Sequence, residues 1–97
     1  MRVRFSPRAA HDLSVIGDYI RRHNLTAALK VRAAILASIE TLTLFPYAGR
    51  KQSTEGVRKL VVRKYPYIVY FTVDETAGEV AILTIRHAAR RREHSDA

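Results

Sequence analysis

His87 stands directly after an apolar run, Val80–Arg86, and imidazole is the side chain best suited to give or take a proton near neutral pH. Cations gather in the same half of the chain: Arg50, Arg58, Arg63, Lys64, Arg86, Arg90 and Arg91. Arginine stays protonated and presents a rigid fork of donors, so these residues suit the binding of phosphate or carboxylate better than proton transfer. Tyr65 places a hydroxyl beside Lys64. If the fold brings these groups together they could surround a phosphate, with His87 as the base. Each also has a plain structural use. A lone histidine at a strand end commonly serves as an exposed or hydrogen-bonded residue, and Tyr65, Tyr67 and Tyr70 lie in β-patterned sequence that suits them to sheet packing.

The bulk properties bound the chemistry. Seventeen Lys and Arg against nine Asp and Glu give a formal charge of +8 on 97 residues, which favours nucleic acid or an acidic protein as partner. With 47% hydrophobic residues the chain should fold, and its length fits one domain, residues 1–97, around one core. The chain has no cysteine, and His11, His23, His87 and His94 show no zinc-ligand spacing, so neither disulfide, metal nor cofactor is expected. No stretch approaches the ~18 apolar residues of a membrane span, and Pro7 interrupts the N-terminus before a signal-peptide core could form. The expectation is a cytoplasmic protein without a membrane partner.

The elements that must position these residues follow from periodicity. Val3 and Phe5 alternate with Arg2, Arg4 and Ser6, which predicts a short strand with one buried face. Ser6-Pro7 opens a helix, the serine accepting from a first-turn amide and the proline supplying the right φ. Ala9, Leu13, Ile16 and Ile20 then recur at three- and four-residue steps until His23-Asn24. Thr26 is placed to cap a second helix with Val31, Ile35, Ile39 and Leu42 as its apolar stripe, stopped by Phe45-Pro46. Tyr47 to Gly56 has no apolar periodicity and predicts a polar, basic, mobile loop. Val57–Arg63, Tyr67–Asp74 and Val80–Arg86 predict an antiparallel meander, the last strand central because nearly all of it is apolar. From about residue 88 to 97 the chain is a basic tail expected to begin as a helical turn and fray. The class is α+β, in the order β-α-α-β-β-β, with a helix hairpin packed on a small antiparallel-dominated sheet whose edge takes the first strand.

The ordered set of Ser6-Pro7-Arg8-Ala9, Asp12-Leu13, Ile16, Tyr19-Ile20, Phe45-Pro46, Gly49-Arg50 and Arg58-Lys59-Leu60 resembles the RelE/ParE superfamily of toxins. Tyr65-Pro66-Tyr67-Ile68-Val69-Tyr70 and Ile82-Leu83-Thr84-Ile85-Arg86-His87 with Arg90 continue the resemblance over nearly the whole chain. It implies the toxin of a type II toxin–antitoxin pair, which arrests growth and is active in stress responses. The implied inhibitor is a cognate antitoxin whose acidic C-terminal segment folds as it wraps the toxin in a hetero-oligomer.

The superfamily implies two targets. RelE-like members cut mRNA in the ribosome, which without a metal needs a base for the 2′-hydroxyl, cations for the phosphorane and an acid for the leaving oxygen. His87, Arg58 and Tyr65 are the catalytic candidates under that reading. ParE-like members poison DNA gyrase and need only a rigid scaffold with a basic face, formed here by Arg50, Arg58, Arg63, Lys64, Arg86, Arg90 and Arg91. No tyrosine follows Tyr70, whereas the RelE-like pattern places an aromatic or catalytic residue near the C-terminus; this favours the ParE-like reading. A third reading is a non-catalytic nucleic-acid-binding module, for which no helix-turn-helix, RNP or KH signature is present.

Overall fold

A computed structural model describes residues 1–89. The elements are β1 (Arg2–Phe5), α1 (Pro7–Arg21), α2 (Leu25–Glu40) with a 3₁₀ turn at Thr41–Thr43, β2 (Arg50–Lys51), β3 (Val57–Val61), β4 (Tyr67–Asp74) and β5 (Glu79–His87). The sheet order is β1-β5-β4-β3-β2. β1 runs parallel to β5, while β2, β3, β4 and β5 pair antiparallel in succession. The expected β-α-α-β-β-β class is therefore present, with a short additional strand, and the N-terminal strand does take an edge beside a central β5.

The core explains the periodicities. Ala9 of α1 and Val31, Ile35, Ile39 and Leu42 of α2 and its 3₁₀ turn cluster with Val69, Phe71, Val80, Ile82 and Ile85 of the sheet. Val3, Phe5, Leu13, Ile16 and Ile20 pack against that cluster. The hairpin thus covers one sheet face, and each fully buried Ile, Leu or Phe contributes about 1.5–3 kcal/mol of transfer free energy. A bulge between Tyr70 and Phe71 leaves Leu83 without a β4 partner, so Thr84 faces Tyr70 while Ile82 faces Phe71.

The caps confirm one reading and correct another. The Ser6 hydroxyl accepts from Ala9 N at 2.9 Å as expected. The second helix, however, is capped by Asn24, whose Oδ1 accepts from Ala27 N at 3.0 Å. Thr26 is the second residue of the helix, within its first turn; the His23-Asn24 pair that reads as a helix end is also the start of the next helix.

The Tyr47–Gly56 segment is likewise not a free loop. Arg50 and Lys51 pair with Lys59 and Arg58 as β2, and Gln52 N donates to Val57 O. Arg58 fastens the approach to it: its Nη1 donates to Gly49 O at 2.8 Å and Tyr47 O at 3.4 Å, and its guanidinium lies 4.9 Å above the Tyr47 ring. The Tyr47 hydroxyl donates to the Glu75 carboxylate in the β4–β5 turn. At Gly49 a Cβ would come within 2.6 Å of Lys59 O and 2.7 Å of the Phe71 ring, so only glycine lets the chain approach the sheet this closely. Polar composition hid this order because the ordering contacts are themselves polar.

Candidate functional site, a basic sheet face

Alternation along the strands sorts the side chains into two faces. Tyr67, Val69 and Phe71 join the core under the helices, so Ile68, Tyr70 and Thr72 point to the opposite face. In register with them stand Arg86 opposite Ile68, Lys59 opposite Tyr70, and Arg50 opposite Lys59. On β1 the core residues Val3 and Phe5 alternate with Arg2 and Arg4, which take the same outer face. Arg86 and Lys59 are two strands and two residue steps apart, roughly 12 Å between Cα atoms. Ile68 and Tyr70 between them are buried, at 2% and 3% exposure, and Lys59 and Arg86 are half-buried.

Asp74 and Glu79, partners in register, bring two acids to this face. The Glu79 carboxylate accepts from Arg2 Nη2 at 3.3 Å and from Arg4 Nε at 3.2 Å, holding both guanidinium groups beside the strand that pairs with theirs. Both arginines are solvent-exposed, so each pair contributes at most ~1 kcal/mol, and their remaining donors point to solvent. Arg2, Arg4 and Lys59 were missed by sequence reasoning. Their signal was the Arg-Val-Arg-Phe alternation, but only the parallel register of β1 on β5 shows that these arginines continue the face that carries Arg86.

The residues singled out from sequence do not form one constellation. Arg63, Lys64 and Tyr65 lie in the β3–β4 turn, at the same end of the sheet as Arg86 and His87, since Tyr67 pairs with His87 and Val62 N donates to Tyr67 O. Lys64 adopts φ 75° in that turn. Tyr65 packs against the core, and its carbonyl accepts from Tyr67 N. Arg58 is elsewhere. It lies four residue steps and two strands from the His87 position, on the order of ~17 Å by strand geometry, and its guanidinium serves the Tyr47–Gly49 carbonyls. Arg86 and His87 are consecutive strand residues and so point to opposite faces. Arg90 and Arg91 lie outside the described residues.

His87 is held in a defined way. Its Nδ1 accepts from Ala89 N at 3.1 Å and its ring meets Tyr67 edge-on, with centroids 5.3 Å apart. With Nδ1 used as an acceptor, the neutral ring carries its proton on Nε2, which leaves a donor rather than a base toward solvent. Burial pushes the Tyr67 phenol above its ordinary range, and donation to Glu75 does the same for Tyr47; neither is poised to give up a proton near neutral pH. Among the described residues no cluster of three His, Cys, Asp or Glu is arranged to hold a metal ion.

Two further features border α1. On the outer side of the hairpin, Ala10, Leu13, Ser14, Gly17, Ala28 and Leu29 line a cleft of about 340 Å³ rimmed by Asp18, Arg21 and Arg32. Leu25 and Leu29 stand exposed there, at 57% and 60%. Toward the sheet, Asp12 reaches the edge of β5 just beyond the end of β1: its Oδ2 accepts from the Thr84 hydroxyl and from Ile85 N at 3.0 Å, while Oδ1 accepts from Arg8 Nε at 3.1 Å. Ser6 completes the seal by donating from Oγ to Leu83 O at 2.8 Å.

Comparison with known proteins agrees with this geometry. Residues 3–92 match the family model described as "ParE toxin of type II toxin-antitoxin system, parDE". The chain is 34% identical over 87 residues to the protein Y4kP of Sinorhizobium fredii, covering 90% of this chain and 88% of the relative. It is 37% identical over 83 residues to toxin RelE2 of Caulobacter vibrioides, covering 86% and 90% respectively. Among solved structures, a chain of the chromosomal ParDE toxin–antitoxin system from P. aeruginosa superposes with a TM-score of 0.77 at 30% identity, covering 90% of this chain and 95% of that one. The isolated E. coli RelE toxin shares the fold, with a TM-score of 0.66 at 18% identity over 98% of this chain and 92% of that one. The chain belongs to the ParE toxin family of type II toxin–antitoxin systems.

Proposed function

We propose that the chain arrests growth in the cytoplasm by ParE-like inhibition of DNA gyrase, and that a cognate antitoxin neutralises it. The observation that carries this reading is the dispersal of the catalytic candidates. Arg58 is committed to loop carbonyls, Tyr65 to the core, and His87 uses its Nδ1 lone pair on the backbone, on the face opposite Arg86. A ribonuclease needs base, cation and acid converging within ~3 Å of one phosphodiester. What the chain offers instead is a rigid basic face of Arg2, Arg4, Arg50, Lys59 and Arg86, with Arg63 and Lys64 at its end, suited to an acidic protein or to protein-bound DNA. The match to a ParDE chain at 30% identity supports the same reading.

The antitoxin's acidic segment has two kinds of anchor available. Apolar side chains of a helix fit the cleft between α1 and α2 beside Leu25 and Leu29, and carboxylates fit the arginines at its rim. The test is a supercoiling assay with purified gyrase, run beside an assay of ribosome-bound mRNA. Inhibited supercoiling with trapped, cleaved DNA and intact mRNA, reversed by the antitoxin, is the expected result. Unaffected gyrase with mRNA cut in the ribosome would replace this reading with the RelE-like one.

A further inference from the structure

Leu44 and Phe45 directly follow the 3₁₀ turn and stand 77% and 64% exposed, with Tyr47 at 48% and Met1 at 39% close by. The Met1 ammonium donates to Thr43 O at 2.8 Å, Ala48 N donates to Phe45 O at 3.0 Å, and the Tyr47 hydroxyl reaches Glu75. These contacts gather the apolar side chains at the end of the sheet that holds the β4–β5 turn. The core beneath them is closed: Leu42 already fills it at 0% exposure, and Gly49 leaves no room even for a Cβ. The segment is held from three sides, by Arg58 on the Tyr47 and Gly49 carbonyls, by Glu75 on the Tyr47 hydroxyl and by the N-terminus on Thr43. Apolar side chains displayed on so fixed a support lose little further freedom on binding, which is how interface anchors gain affinity.

The rim of this patch is acidic although the chain carries a charge of +8. Glu40 lies one helical turn before Leu44, Glu75 accepts from the Tyr47 hydroxyl, and Asp74 ends β4 beside it. Arg2 at this end is paired with Glu79, and Arg58 is turned onto the loop carbonyls. Such a rim is a poor match for nucleic acid, and equally for an acidic antitoxin segment, which fits the arginine-rimmed cleft between α1 and α2. That cleft lies at the N-terminal end of α2; the helix is 16 residues long, which sets the two surfaces about 24 Å apart. The patch itself amounts to on the order of 400 Å². A stable dimer buries ~800 Å² on each side, so the patch suits an anchor within a larger contact rather than a self-association face. The matching partner is a protein surface with an apolar pocket and a basic margin.

We infer that Leu44 and Phe45 are the anchor by which the chain docks on its protein target, gyrase in the reading above, on which this inference rests. The apolar pair enters a pocket of the target, and Glu40 and Glu75 meet basic side chains at the pocket's margin. Arg63 and Lys64, at the opposite end of the sheet, stay clear of this contact and remain available to DNA held by the enzyme. Target docking and antitoxin capture then use separate surfaces, so substitutions at residues 44 and 45 separate the two activities.

The test measures binding of the full chain to purified gyrase without DNA by biolayer interferometry, beside inhibition of supercoiling and affinity for the antitoxin encoded beside it. L44A/F45A should weaken gyrase binding and raise the inhibitory concentration at least about tenfold, while antitoxin affinity stays within about twofold. Both side chains are exposed, so the thermal transition of this variant should match the wild type. Glu40→Lys should weaken gyrase binding about threefold at low salt and less at high salt. A cation at the C-terminal end of α2 favours the helix, so lost stability cannot account for that change. A double variant that binds and inhibits gyrase as the wild type does overturns the inference. So does loss of antitoxin binding in L44A/F45A, which assigns the patch to the antitoxin, or a wild-type dimer in sedimentation that the double variant dissolves, which assigns it to a second copy. A wild-type chain that neither binds nor inhibits gyrase removes the gyrase reading itself, and this inference with it.

Discussion

Removing the Asp12 carboxylate should be among the most damaging single changes to this fold that leaves the apolar core untouched. Asp12 accepts two hydrogen bonds from β5, the Thr84 hydroxyl and the Ile85 amide, where β1 has ended and no strand is present to take them. Bonds to a charged acceptor contribute about 1.5–3 kcal/mol each. The i,i+4 pair with Arg8 adds about 0.3–0.5 kcal/mol. Asp12 is 14% exposed, so in Asp12→Ala water will recover part of this, and a loss of about 3 kcal/mol remains. For a domain of this size that lowers the Tm by more than ~10 °C. Asp12→Asn keeps one acceptor oxygen and should cost about half as much. Urea denaturation gives the free energies, and hydrogen exchange at Ile85 shows whether the strand edge has opened locally. A D12A protein within ~0.5 kcal/mol of wild type, with Ile85 still protected, would refute the view that this carboxylate substitutes for a missing strand.

Other expectations follow from single contacts. Gly49→Ala forces a methyl against Lys59 O and the Phe71 ring and should cost about 1–3 kcal/mol in chemical denaturation. Lys64→Gly relieves a left-handed backbone at φ 75° and should raise stability by up to ~1 kcal/mol, provided the turn keeps its conformation. Arg58→Lys cannot span both the Tyr47 and Gly49 carbonyls while covering the Tyr47 ring, so protease cleavage within residues 47–52 should accelerate without loss of the main thermal transition. In alkaline titration the phenols of Tyr47 and Tyr67 are both raised above their ordinary range, by donation to Glu75 and by burial respectively. Because the folded state favours the protonated phenols, their contribution is intact below pH ~10 and is lost as pH rises beyond it. Tyr47→Phe should remove the Glu75-dependent part of that loss, seen by ultraviolet difference spectroscopy.

Legibility of the sequence varied with the range of the interactions. Ser6-Pro7 and the Leu13, Ile16, Ile20 and Val31, Ile35, Ile39 stripes encode helix start and buried face within a few residues, and those readings match the structure. The Thr26 cap failed because Asn24 starts the helix two residues earlier by accepting from Ala27 N, a choice between neighbours of similar capping strength. The segment around Tyr47–Lys51 read as unstructured because its order comes from Arg58, Glu75 and Phe71, which approach it from three later points in the chain. The site suffered most. A list of cations cannot say which share a face; that depends on the parallel β1–β5 pairing and the Tyr70/Phe71 bulge, which put Arg2 and Arg4 with Arg86 and set Arg58 apart. Asp12 was visible in the family-like Asp12-Leu13 pair, but its role needs the end of β1, fixed only in three dimensions.

The most direct measurement is tightly induced expression of the chain without its antitoxin, following nucleoid shape, the DNA-damage response and mRNA integrity in one culture. Filamentation with DNA-damage induction and intact mRNA is the predicted result. Rapid arrest of translation with mRNA cut at ribosome-bound codons, and no DNA-damage response, would contradict a gyrase-directed toxin.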